Sequence, residues 1–430
     1  MPPNRFLPGG GDEISGMEAF RYRHDQLFCE KISLKQLARE IGTPVYVYSR
    51  GALEGSLRNF DHAFVDVPHL ICYAVKSNSN LSILKLFRDL GAGVDIVSGG
   101  ELFRSLQVGV DPQKIVFSGV GKKNAEIDYA LNTDILIINV ESKAELDAIE
   151  ARAKALNHRA RVSFRVNPDI DPKTHPNIST GLREHKFGIS TQEALPLYQY
   201  ARGLSHVEVV GISCHIGSQV TSLEPFLQAA QKVFDVLGRL QEIGIHLQYV
   251  NLGGGVGIRY HDESPPSIAE YAQGLRRFFA RKEQVLILEP GRILCGKAGL
   301  LLTEVLYVKR SDRRPFVIVD AGMNDLLRPG LYDAYHEIWP VERNASETFI
   351  VDIVGPVCES TDFLAHDREI PVTQRGDLLA IMDTGAYGFS LSSNYNSRPR
   401  PAEVLVRNNT YQIIRERESY EDLVRGEKGI

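Results

Sequence analysis

Across its 430 residues the chain carries five cysteines, four methionines and one tryptophan. The cysteines (Cys29, Cys72, Cys214, Cys295 and Cys358) stand singly, with no C-x-x-C pair among them. An odd, scattered set excludes a disulfide framework and a zinc site, and fits free thiols in a reducing cytoplasm. The longest apolar runs, such as residues 135–140 and 285–288, have strand length and fall far short of a membrane span. No lysine or arginine run appears where nucleic acid would bind, and a formal net charge of -5 gives no support for such a surface. Residues 1–11 are rich in proline and glycine and lack the apolar core of a signal peptide. Residues 1–24 are read as a disordered extension.

What is present is the composition of a soluble globular protein of two domains, with 43% hydrophobic and 24% charged residues. Between residues 52 and 289, short β-branched runs alternate with longer amphipathic stretches, the mark of repeated βα units. The expected strands are 70–75, 94–97, 115–118, 135–139, 161–167, 208–215, 248–252 and 285–289. Helical stretches lie between them, and the one from Phe226 sets Phe226, Ala229, Ala230, Val233, Phe234, Leu237 and Leu240 on one stripe. Eight units over about 240 residues is the size of a (β/α)8 barrel, with an open doubly wound sheet as the competing architecture. After Gly291 the pattern turns to short strands at 305–309, 316–320, 348–354, 378–382, 403–407 and 410–414, which read as a mostly β domain. The expected division is a segment 25–50 that pairs with the β domain, a barrel over 51–292, and the β domain over 293–430.

Tyr73-Ala74-Val75-Lys76-Ser77-Asn78 closes the first strand. An ammonium at the end of a buried strand is costly unless it finds a partner. A desolvated lysine loses its proton more readily, and the free amine can form a Schiff base with an aldehyde such as pyridoxal phosphate. A lysine that snorkels to solvent is the alternative. The other unusual residues fall at the same strand ends. Asp95 lies in the second strand and Arg165 in the fifth, His215 closes the sixth, Gly253-Gly254-Gly255 follows the seventh, and Glu289-Pro290-Gly291-Arg292 ends the eighth. Active sites of such barrels are built on that face, so one assumption gathers all of them at one mouth.

Gly253, Gly254 and Gly255 remove every β-carbon where backbone N–H groups could cradle an anion, although a flexible turn is the simpler reading of a glycine triplet. No G-x-G-x-x-G occurs in register, which sets a dinucleotide site aside. His215 and Ser218 offer an imidazole for a flat ring and a hydroxyl for a phosphate, against the equal alternative of a core histidine beside a turn. Glu289 beside a pyridine ring would keep its nitrogen protonated and make the ring an electron sink. Asp95 and Arg165 are read evenly as cofactor-tuning groups and as members of a buried salt bridge. In the β region, Cys358 and Glu359 set a thiol beside a carboxylate on one turn, and Tyr387 stands on a second, glycine-rich turn. Arg328 and Tyr332 offer a fork and a hydroxyl to a carboxylate. Ordinary surface loops remain the simpler reading of both turns.

In order along the chain, segments 73–78, 215–219, 253–255, 289–292, 355–360 and 385–387 resemble the fold-type III pyridoxal-phosphate-dependent decarboxylases, most closely the diaminopimelate branch. Segment 178–188 also looks like that branch. The resemblance implies a TIM barrel of the alanine-racemase type with a C-terminal β domain, pyridoxal 5'-phosphate as cofactor, and decarboxylation of meso-diaminopimelate to L-lysine. It implies that Lys76 holds the cofactor, His215 stacks on its ring, and Glu289 binds the pyridine nitrogen. Ser218, Gly254, the turn from Glu289 through Pro290 and Gly291 to Arg292, and Tyr387 would surround the phosphate and cofactor. Arg328 and Tyr332, with Arg292 near, would grip the substrate's distal carboxylate, and Glu359 its distal ammonium. Cys358 would protonate the α-carbon, and Cys358 and Glu359 would come from the partner subunit of a homodimer. The alternatives are a decarboxylase of ornithine, lysine, arginine or carboxynorspermidine, an amino-acid racemase, which Glu289 speaks against, and a non-catalytic paralogue, which Lys76 and Cys358 speak against.

Overall fold

The computed structural model describes residues 19–171, 186–280, 283–311, 314–343 and 347–429. Residues 1–18, and most of the 178–188 segment, lie outside the described residues. Among the described residues, no helix is long and apolar enough to cross a membrane.

Eight parallel strands close into a barrel: His69–Ala74, Gly93–Ile96, Ile115–Phe117, Ile137–Val140, Ala160–Asn167, Val207–Ser213, Tyr249–Asn251 and Val285–Leu288, the last pairing back onto the first. Closure rules out the open-sheet alternative. Successive side chains on a strand face opposite ways, so each strand feeds two cores. One set, including Val94, Val162, Phe164, Val250 and Leu288, packs against the surrounding helices. The other set points inward and changes character along the axis. Cys72, Val116, Ile137, Val210 and Ile287 fill the barrel with a small apolar plug. In the same inward register, nearer the C-terminal ends, stand Asp95, Asn139, Ser163, Arg165 and Asn251, all buried. A dry plug below and a polar layer above place the chemistry at one mouth.

A second sheet, of nine strands, is organised by the long strand Gly299–Lys309. This strand pairs antiparallel with Val45–Ser49, Phe316–Val319 and Leu378–Ile381. Val45–Ser49 also runs parallel to Ala402–Arg407, so it lies in the middle of the C-terminal sheet, where all five of its side chains are buried. The expected strand 305–309 begins six residues early because Gly299 to Leu302 is buried throughout and shows no alternation. Phe363–Pro371 and Ile338–Pro340 are strands that the pattern did not mark. In Phe363–Pro371 the central residues His366 and Asp367 are exposed, so an apolar pattern never forms.

The expectation of disorder through residue 24 needs correction. Phe20–Arg23 pairs antiparallel with Gln26–Cys29 across His24 and Asp25, both at positive φ (46° and 61°). That is the geometry of a two-residue hairpin, made here without the usual Asn-Gly signal. Phe20, Leu27 and Cys29 pack into the same cluster as Val45, Val47 and Leu300, and this burial holds the hairpin down.

The two sheets meet at Glu403, which is fully buried. Its carboxylate accepts from Tyr48 Oη (2.8 Å), from Asn80 Nδ2 on the loop after the first barrel strand (2.8 Å), and from Arg415 Nε (2.6 Å). Removing one member of a buried, hydrogen-bonded pair strands the others. Glu403→Ala is therefore expected to cost about 3 kcal/mol in the first unfolding transition, and a loss under about 1 kcal/mol would contradict this role.

Candidate active site

The first barrel strand runs into a single 3-10 turn, Val75–Ser77, which carries Lys76. Three hydrogen bonds pin the turn. Tyr73 Oη donates to the Asn78 carbonyl (2.9 Å), Asn78 Nδ2 to the Gly385 carbonyl (3.2 Å), and the Tyr387 N–H to the Ser77 carbonyl (2.7 Å). Tyr387 takes a φ of 57° in making that last contact. The Tyr387 turn, read as a possible surface loop, is thus docked on the lysine turn.

Lys76 Nζ lies 2.6 Å from Asp95 Oδ2, and Asp95 is fully buried. Here two effects on the amine oppose each other. Burial does favour the neutral form, but the Asp95 carboxylate, supported by Tyr387 and Glu289, outweighs it and raises the Lys76 pKa. The amine is held as an ammonium, with 34% of the side chain open to the mouth. Asp95 keeps its other oxygen, Oδ1, buried without a partner.

Glu289 follows the eighth strand and is buried. Asn251, closing the seventh strand, donates from Nδ2 to Glu289 Oε1 (2.6 Å), while its Oδ1 accepts from the Gly253 N–H (2.8 Å). Burial, and then the negative charge of Asp95, raise the Glu289 pKa. Arg165 Nη1 donates to Glu141 Oε1 in a buried pair (3.0 Å), and Nη2 to the His215 carbonyl (3.3 Å). Asp95 and Arg165 are therefore both in ion pairs, with Lys76 and Glu141, not with each other. His215 accepts at Nδ1 from the Gly254 N–H (3.2 Å), which leaves its proton on Nε2. Burial, with Arg165 and Lys76 near, keeps its pKa well below the ordinary value, so the ring is neutral.

The glycine triplet is required by packing before any ligand is considered. A β-carbon on Gly254 would come within 2.0 Å of the Glu289 carbonyl oxygen, and one on Gly255 within 2.2 Å of the Gly217 oxygen. Gly253 and Gly255 also hold φ of 67° and 107°. The loops after the sixth, seventh and eighth strands thus lie backbone to backbone. Pro290 closes the ring by accepting from the Ala74 N–H (3.0 Å), and Gly291 abuts Ser77.

Beyond this ring, Arg292 is buried, donating from Nη2 to Ser218 Oγ (3.0 Å) and from Nη1 to Tyr260 Oη (2.7 Å). Its guanidinium lies 4.7 Å from the centre of the Tyr387 ring. Arg328 is buried at the start of the short helix Arg328–Tyr332, of which Tyr332 forms the half-buried end. The structure therefore gathers Lys76, Asp95, Arg165, His215, Ser218, Gly253 to Gly255, Glu289 to Arg292 and Tyr387 through linked contacts. Cys358 and Glu359 stand apart. Both are exposed, and beyond the backbone bonds of their own turn their described hydrogen bonds are to Asn396 (2.8 Å) and Tyr395 (2.7 Å), not to the mouth. Sequence reasoning missed Glu141, Asn251, Tyr260 and His336. Only Asn251 carried a signal, as a polar residue closing an apolar strand directly before the glycines.

A family model described as "Pyridoxal-dependent decarboxylase, pyridoxal binding domain" matches residues 50–296, more than half of the chain. A diaminopimelate decarboxylase from Neisseria meningitidis serogroup B is 50% identical over 93% of this chain and 97% of its own. One from Aquifex aeolicus is 48% identical over 94% and 96%. The chain belongs to the diaminopimelate decarboxylase family of pyridoxal-dependent decarboxylases. A solved structure of the Helicobacter pylori family member, complexed with L-lysine, superposes with a TM-score of 0.88 at 45% identity, over 91% of this chain and 98% of that one. The architecture expected of the family, a closed barrel with a mostly β second region, is the one observed.

The Lys76–Asp95 pair yields a direct test. With Asp95→Asn, burial is left to act without the opposing carboxylate, so the Lys76 pKa should fall by about one unit or more. The pH profile of amine modification in cofactor-free protein reads this, and an unmoved profile would contradict the pairing.

Proposed function

We propose that this chain uses pyridoxal 5'-phosphate to decarboxylate meso-2,6-diaminopimelate to L-lysine and carbon dioxide, the last step of lysine biosynthesis. The observation that carries the reading is a pair of buried guanidinium groups, Arg292 and Arg328, neither in ion-pair or hydrogen-bond contact with a carboxylate among the described residues. A buried cation without a counter-ion calls for an anion from outside, and two call for two. Arg292 and Ser218 would hold the cofactor phosphate, and Arg328 and Tyr332 would hold the distal α-amino carboxylate of diaminopimelate. Ornithine, lysine or arginine has no second carboxylate and would leave Arg328 unmatched.

The residues at the mouth fit the cofactor. Lys76 offers an amine to its aldehyde, His215 a neutral ring face, and Glu289 a carboxylate to its nitrogen. Arg292 Nε, buried and unpartnered, is the kind of donor a bound anionic ligand would satisfy, whereas Asp95 Oδ1, also buried and unpartnered, calls for a donor. When bound, the cofactor supplies an electron sink for the carbanion that carbon dioxide leaves behind. Glu289 would hold the ring nitrogen protonated: burial, and then the charge of Asp95, raise its proton affinity, and a cationic N–H set against it would favour the carboxylate. Asp95 holds the Lys76 amine at the mouth. His215, being neutral, touches the ring without adding a competing charge.

Cys358 returns the proton to the α-carbon and Glu359 meets the distal ammonium, each from the partner subunit of a homodimer. What supports this is their position, exposed and outside the contacts of their own mouth. The thiols, four buried and none paired, suit a reducing cytoplasm.

Arg328→Met should raise KM for diaminopimelate about 100-fold while leaving the weak reaction with ornithine unchanged; equal effects on both would remove the distal grip. Lys76→Ala and Cys358→Ala, each inactive alone, should recover about a quarter of wild-type activity when their subunits are exchanged. No recovery after confirmed exchange would place each site within one chain.

A further inference from the structure

The two unmatched arginines are not independent. Arg292 Nη1 donates to Tyr260 Oη (2.7 Å), and the Arg328 guanidinium lies over the same tyrosine ring, 4.6 Å from its centre. Arg328 Nη1 in turn donates to His336 Nε2 (2.7 Å), and His336 stands edge-on to Tyr260 with ring centres 5.3 Å apart at 76°. The direction of the Arg328 bond is fixed by the far side of the imidazole. His336 Nδ1 lies 2.7 Å from the Met382 carbonyl, which can only accept, so Nδ1 carries the proton and Nε2 presents a lone pair. His336 is fully buried and comes from the loop leading into Ile338–Pro340, while Tyr260 comes from the barrel loop after the glycine triplet. Each arginine is thus steered by one residue of an edge-on tyrosine–histidine pair, and that pair joins barrel to sheet.

Two guanidinium groups sharing one aromatic ring repel each other, and burial denies them water. Left to itself, Arg328 would turn away from Arg292. The neutral His336 lone pair gives it a reason to stay, while Arg328 Nε remains buried and without a partner. From this arrangement we propose that His336 is a specificity-determining positioning residue: it never touches substrate, but it aims Arg328 so that only an amino acid with a distal carboxylate is gripped. Tyr260 is the spacer that ties this aim to the cofactor-phosphate side through Arg292. The inference rests on the reading of Arg328 as the distal-carboxylate grip.

The test uses holoenzyme and three variants, measuring kcat and KM with meso-diaminopimelate, kcat/KM with ornithine, and cofactor affinity by absorbance titration. His336→Phe keeps the ring packing and removes the acceptor. It should raise KM for diaminopimelate about 30-fold, with kcat, cofactor affinity and the ornithine reaction near wild type. His336→Gln restores a carbonyl acceptor and should recover KM to within about 5-fold of wild type. Tyr260→Phe should instead weaken cofactor affinity about 10-fold and spare KM, because only Arg292 loses its hydroxyl. An unchanged KM in His336→Phe would overturn the proposal. So would parallel losses of kcat and cofactor affinity in both His336 variants, the signature of a merely structural residue. A wild-type enzyme that releases no carbon dioxide from diaminopimelate would overturn the underlying function first, and is seen before any substitution is made.

Discussion

The structure turns on a single ion pair, Lys76 with Asp95, made inside a barrel mouth where neither charge would be tolerated alone. A buried carboxylate needs a cation, and a lysine at a strand end needs a reason to stay. Each answers the other's need, and their neighbours then adjust. Glu289 rises in proton affinity through burial and then the negative charge of Asp95, Arg165 takes Glu141, and His215 stays neutral through burial, with Arg165 and Lys76 adding to it. The charges at the mouth are linked, so changing Asp95 acts directly on Lys76 and Glu289.

The second sheet completes the mouth. The Lys76 turn is held from outside the barrel by Gly385 and Tyr387, and the loop after it by Glu403. Arg328 and His336, with the Met382 carbonyl that orients His336, all come from the C-terminal half as well. The barrel alone could present an amine, a neutral ring and a carboxylate, which is a general kit for pyridoxal chemistry. The sheet adds the second buried cation, and with it the basis for choosing among amino acids. Function in this protein lives at the seam between the two, which is why Val45–Ser49, far back in the chain, sits in the middle of the C-terminal sheet.

Much of this was legible beforehand, for physical reasons. Parallel strands buried on both faces read as apolar runs, so the eight barrel strands were found with ends shifted by a residue or two, and the rule that barrel sites lie at strand C-termini assembled the mouth. What stayed hidden involved contacts between distant segments. The hairpin Phe20–Cys29 uses a His-Asp turn that carries no strong signal, and the polar strand Phe363–Pro371 lacks an apolar pattern. Burial alone favours a deprotonated Lys76, and the opposing pull comes from Asp95, 19 residues on, at 2.6 Å from the amine. Glu141, Tyr260 and His336 have no local signature at all, since each matters only through an arginine brought to it by the fold.

The most direct measurement is carbon dioxide release from purified protein with pyridoxal phosphate, offering meso-diaminopimelate beside ornithine, lysine and arginine. Two buried arginines awaiting two anions predict release from diaminopimelate, with the three basic amino acids slower by about 100-fold or more. Preferential release from a basic amino acid would leave the fold and Lys76 in place, and would contradict the assignment of Arg328 to a distal carboxylate.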